Sequence, residues 1–140
     1  MAAPLSGIDQ NVRSIRIVHS AFMATVLLYV YAMHIVQRSP ATLVPVIFWS
    51  LAGIAVFCCC AAYFWRVRKL SPAVERLRVA PDDAGAMAQW RGGSIVSVTM
   101  LETVVLFGFA LYMLGATTIQ VAPFVIVPFV TMILWFPKRP

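Results

Sequence analysis

Apolar residues fall along this chain in four long runs, at 17–36, 43–65, 94–114 and 117–136. Short polar stretches separate them, with one longer interruption at 66–93. A hydrocarbon core about 30 Å thick is crossed by roughly 20 residues at about 1.5 Å of rise each. The first three runs reach that length, and the first holds no Lys, Arg, Asp or Glu. The fourth is shorter: residues 121–136 alone would cover only about 24 Å. Its helix is therefore predicted to begin near Thr117, or else to thin the bilayer around it. The pattern predicts an all-α polytopic membrane protein with a single transmembrane domain over 1–140. Its architecture would be a four-helix bundle made of two helical hairpins.

The interruption at 66–93 reads as a cytoplasmic linker with some helix of its own. Pro72 opens it, residues 73–79 suit a short surface helix, and Pro81-Asp82-Asp83 restarts a helix with two carboxylates near its positive N-terminal end. A linker with so few helical turns is too small to be a domain. The first run is too long for a signal-peptide core and no small-residue cleavage site follows it, so it is expected to stay as an anchor.

Charge sets the direction of threading. Arg13 and Arg16 precede the first run, and Arg66, Arg68, Lys69, Arg76, Arg78 and Arg91 lie between the second and third. Lys138 and Arg139 end the sequence, and only Arg38 falls on the opposite side. The positive-inside rule then places both termini in the cytoplasm and the chain, multi-pass, in a cell inner membrane. Trp65, Trp90 and Trp135 sit near the same boundary, where indole rings favour the headgroup layer.

A shift of 78 residues, which carries Arg13 onto Arg91, brings the two halves into register. It pairs Ile17 with Ile95, Val18 with Val96, Thr25 with Thr103, Val26 with Val104, Leu28 with Leu106, Ala32 with Ala110 and Pro45 with Pro123. Both hairpins enter from the same side, so such a duplication would be parallel, about an axis along the membrane normal. Pro45 and Pro123 would then occupy equivalent first-turn positions, where a missing N–H is tolerated.

Composition narrows the function. Hydrophobic residues make up 61% and charged residues 11% of the chain, against about 45–50% and about 25% in soluble domains. A soluble enzyme is excluded, because such a chain could not cover a water-facing surface. The net charge of +6, taken alone, suggests nucleic acid. Its basic residues instead flank the runs and alternate with Glu75, Asp82 and Asp83, as topology signals and contacts to anionic lipid heads do. No nucleic-acid partner is expected.

Glu102 is the carboxylate placed deep in a run, about nine residues into the third. Desolvation at that depth favours the neutral acid. It is expected to point into the bundle, with Thr99 one turn earlier and Thr103 beside it as hydrogen-bonding neighbours. Such a group either carries protons or cations or serves as a hydrogen-bonding acid between helices. His19 and His34 lie on the first run, about 22 Å apart along a helix. One chain therefore cannot give both to a single haem, though a symmetric dimer could pair His19 with its mate. Cys58, Cys59 and Cys60 diverge by about 100° per step and cannot converge on one metal ion. No Gly-rich phosphate loop, H-E-x-x-H or G-x-S-x-G occurs, and Glu102 has no second deep carboxylate to work with. No catalytic residue, enzyme activity or resident cofactor is expected.

The run Leu101-Glu102-Thr103-Val104-Val105-Leu106-Phe107-Gly108, preceded by Gln89-Trp90-Arg91, resembles small bacterial four-span membrane proteins of uncharacterised activity that carry a glutamate and then a glycine in their third span. The closing Pro137-Lys138-Arg139-Pro140 fits the same picture. The resemblance covers the second half and implies no activity. The leading expectation is a small non-enzymatic membrane protein that packs against itself or other membrane subunits. The alternatives are a proton- or cation-linked transporter or channel component using Glu102, and a haem-binding anchor using the histidines. Reporter fusions after Lys69 and at the C-terminus are expected to read cytoplasm, and one near Ser39 the outside. An external Lys69 fusion would overturn both the charge argument and the span count.

Overall fold

The computed structural model describes residues 7–36 and 45–137, and it is helical almost throughout. Helix α1 is Gly7–Ile35 and α2 is Pro45–Trp65. One π-helical turn, Arg66–Leu70, carries α2 without a break into α3, Ser71–Val79. Helix α4 is Ala84–Met113 and α5 is Thr118–Leu134. Three rods, Asp9–Ile35, Pro45–Val79 and Ala84–Met113, are long and apolar enough to cross a membrane. At 17 residues, α5 is shorter and spans about 26 Å. No strand occurs among the described residues.

Helix α4 holds the bundle together. It packs against α1, α2, α3 and α5, and α1 also runs along α5. The two hairpins expected from the sequence are not both present as packed pairs. Helices α4 and α5 lie side by side, but α1 and α2 make no extended contact among the described residues and meet different flanks of α4. The cause is α4's own surface. Gly93, Ser94, Ser97 and Gly108 are all buried on it, and small residues let neighbouring backbones approach from more than one side. At Gly108 an added Cβ would stand 2.7 Å from the Phe124 Cβ of α5. The buried Ser97 hydroxyl donates to the Gly93 carbonyl at 2.8 Å, so it adds no unsatisfied polar atom.

The α4–α5 turn follows from its residues. Gly115 has φ of 99°, a left-handed value that closes a Schellman motif. Gly115 N donates to Tyr112 O at 3.1 Å and Ala116 N to Leu111 O at 2.9 Å. Thr117 and Gln120 then form a reciprocal capping box, so α5 starts where the fourth apolar run was predicted to begin. Asp83 caps α4 by accepting from Gly85 N at 2.9 Å and Ala86 N at 3.0 Å.

Two details differ from the sequence reading. In the stretch 66–93, where a short helix over 73–79 and a restart at 81–83 were expected, helix covers 66–79 and resumes from Ala84. Pro72 does not end the helix, because the ladder widens just before it: Ser71 N bonds to Arg66 O in the π turn. Leu70, Ala73 and Leu77 then bury against Val12 and Ile15 of α1 and Ala86 and Trp90 of α4. Pro123 is an interior residue of α5 rather than the first-turn one expected, because Thr117 and not the proline sets where α5 begins. Pro45 is the first described residue of α2.

The helix ends sort into two groups. Beginnings of α1 and α4 cluster with α3, and Arg16 Nε reaches Pro137 O just beyond α5 at 3.1 Å. Every described Lys and Arg belongs to this basic end. At the opposite end Met33, Phe48, Leu111 and Val121 share one apolar cluster. Arg38 and Ser39, like Lys138 and Arg139, lie outside the described residues.

Replacing Gly108 by alanine is expected to force α4 and α5 apart and to lower stability by about 1–3 kcal/mol. Gly53→Ala, on α2 with nothing within 4 Å of the added carbon, should be neutral. Thermal unfolding of both variants in mild detergent, followed by helical circular dichroism, checks the contrast.

Candidate functional site

Around α4, the buried residues Ser94, Val98, Leu101, Val105 and Gly108 define one face. A stripe about 100° round the helix from that face is open. Ile95, Thr99, Leu106 and Met113 are exposed along it, with Glu102 and Phe109 half-buried between them. These six positions follow each other at steps of four and three, the 3.5-residue repeat of a helix–helix seam. Glu102 is thus half-buried at the edge of the bundle, where its sequence suggested a fully enclosed position. Two turns further on, Phe109 lies 5.6 Å from the Tyr29 ring of α1, which places Glu102 on the α1 flank of this open side.

The two threonines expected beside Glu102 are not its partners. Thr103 Oγ1 donates to the Thr99 carbonyl at 2.9 Å, one turn back on its own helix. Thr99 is exposed. Among the described residues no basic side chain accompanies the carboxyl, since every Lys and Arg lies at the basic end.

The structure places His19 near the middle of α1 and His34 at its end. His34 is exposed in the last turn. His19 is 2% exposed, edge-on to Phe136 with ring centroids 5.2 Å apart. Its Nε2 lies 2.8 Å from Met132 O. A carbonyl only accepts, so Nε2 carries the proton and donates it. Met132 belongs to the last turn of α5, whose carbonyls have no partner further along the helix. His19 thus caps α5 from α1, and Arg16 does the same at Pro137. That engages Nε2, one of the two ring nitrogens able to hold a haem iron. Cys58 and Cys59 are half-buried beside α4, Cys60 is exposed, and all three are free thiols. No cluster of three metal-ligating side chains occurs among the described residues.

A second feature was missed in the sequence. At the basic end, α1, α3, α4, the π turn and the tail of α5 enclose a cavity of about 320 Å³. Arg66, Arg78, His19, Ser94, Trp90 and Trp135 contribute to its wall. These residues are far apart in the chain, and only the unbroken helix through Pro72 brings Arg66 and Arg78 to one side. The clue available in the sequence was the spacing of Leu70, Ala73 and Leu77, an apolar stripe hidden among arginines.

Replacing His19 by Phe should keep the ring packing but strand the Met132 carbonyl, at a cost of about 1–3 kcal/mol. His19→Gln, which retains a donor, should recover much of that loss. Thermal midpoints of the two variants in the same detergent decide it. Comparison of the chain with family models, curated proteins and solved structures gave no match.

Proposed function

We propose that this chain is a non-enzymatic integral protein of a cell inner membrane, with both termini cytoplasmic, that works by assembling with a second copy of itself along α4. The carrying observation is Glu102 on the open side of the central helix. Facing acyl chains, a carboxyl near mid-bilayer costs at least about 2.5 kcal/mol. A second copy removes that cost. Two chains inserted in the same direction meet about a two-fold axis, so each position on the seam faces its own counterpart. A neutral carboxylic acid has one donor and an acceptor, so a Glu102 pair is self-complementary and needs no basic partner. Ile95, Leu106 and Met113 supply apolar contact on either side.

The same reading covers the other expectations for this chain. Anionic lipid heads would meet the basic end. The duplication draws support from burial: Val26 and Val104 are both buried, while Ile17 and Ile95, and Leu28 and Leu106, are exposed. Its helix pairing is not repeated, so the halves would have diverged in packing.

Single-molecule photobleaching of tagged protein in native membranes measures the assembly directly, with dimers expected. Glu102→Gln should stay dimeric, because an amide preserves both donor and acceptor. Glu102→Ala should weaken association about tenfold, the equivalent of one interhelical hydrogen bond. A monomeric wild type would overturn the proposal. Proton or cation flux into vesicles that Glu102→Gln abolishes without disrupting the dimer would move the function to the transport alternative.

A further inference from the structure

We infer that the cavity at the basic end is a binding site for a phosphate group, carried either by a lipid head or by a soluble phosphate. The site is separate from the α4 seam and does not depend on assembly.

Its cations are pre-placed and under-used. Arg66 is half-buried, its guanidinium carbon 4.7 Å from the centre of the Trp135 ring. That stacking fixes the plane of the fork while leaving its N–H groups free, and no carboxylate pairs with it among the described residues. A guanidinium in such a setting presents parallel N–H donors that match two oxygens of one phosphate. Arg78 brings a second positive charge to the same cavity. Its contact with Glu75, 3.3 Å between two largely exposed side chains, is a weak surface pair that an anion could displace.

Neutral groups complete the site. Ser94 is 8% exposed, and its hydroxyl has no hydrogen-bond partner among the described residues, so it is available to donate into the cavity. His19 lines the wall with one nitrogen already committed to Met132 O, which holds the ring in place. No Asp or Glu lines the space. A volume of about 320 Å³ falls at the lower end of the roughly 300–1,000 Å³ of small-molecule sites. That is larger than a bare ion needs. Leu70, Val98 and Leu134 form an apolar part of the wall, suited to the carbon skeleton attached to a phosphate ester. A carboxylate would engage the same fork with fewer oxygens and leave the second cation unmatched.

The test uses full-length protein in a phosphate-free, uncharged detergent. Tryptophan emission is the signal, since Trp90 and Trp135 both line the cavity. One series adds inorganic phosphate, a second adds phosphatidylglycerol in the micelles, and a third adds uncharged diacylglycerol. A saturable change with phosphate or phosphatidylglycerol, and none with diacylglycerol, is the expected result. Saturation by phosphate alone identifies a soluble source, and saturation only by the lipid identifies a headgroup. Arg66→Gln should weaken whichever binds by about tenfold, the loss of one charge-assisted contact. If Arg66→Gln loses its helix content, Arg78→Gln decides instead, with a loss of about threefold, because its side chain is exposed and carries no packing. No saturation by either phosphate source, or unchanged affinity in the deciding variant, overturns the inference.

Discussion

Inside hydrocarbon, apolar side chains gain little by leaving lipid for one another, so the arrangement of helices falls to close van der Waals fit and to the few polar groups present. In this chain α4 supplies nearly all of that fit. Gly108 meets α5 so closely that a methyl group would not pass. Val98, Leu101 and Val105 share a cluster with Val26 of α1 and Met132 of α5, while Val104 and Leu111 share another with Ala55 of α2. Helices α1 and α2 are placed by α4 and hardly by each other. The rest of the structure depends on that one helix being small-faced on several sides.

The same constraint gives the open side of α4 its meaning. A helix that organises its neighbours on three sides leaves a fourth stripe, and on it the sequence places its deep carboxyl. Several polar groups elsewhere in the bundle are settled internally. Ser97 bonds back to Gly93, Thr25 to Ala21, and His19 to the last turn of α5. Glu102 has no such outlet. At the basic end the imbalance has the opposite sign: Arg66 and Arg78 share a cavity without an acidic lining. Two features thus lack a complement: the carboxyl on α4 and the basic cavity at the helix ends.

Much of the fold was legible in the sequence, because hydrophobic run length and capping chemistry are local. Thr117 and Gln120 start α5, and Asp83 starts α4, as their residue types require. What the sequence hid was decided by packing. Pro72 reads as the opening of a separate segment, yet a single π turn joins that segment to α2 once Leu70, Ala73 and Leu77 find α1 and α4. Pro123 reads as a first-turn residue, yet the capping box lies six positions upstream. Of the proposed site, Glu102 was legible as a residue but its direction was not. Depth follows from counting along one run, whereas direction depends on which faces the other helices take. The seam itself, at 95, 99, 102, 106, 109 and 113, was present in the spacing and masked by the apolar character of the whole helix.

The central claim is that the outward stripe of α4 faces a second α4. Single cysteines at Ile95, Leu106 and Met113, introduced into a chain whose three native cysteines are replaced by alanine, test it by oxidative cross-linking in native membranes. All three positions should give disulfide-linked dimers. Val56 and Phe57, apolar and even more exposed on α2, should give none. Cross-linking at α2 in place of α4, or at none of the α4 positions, would contradict the account.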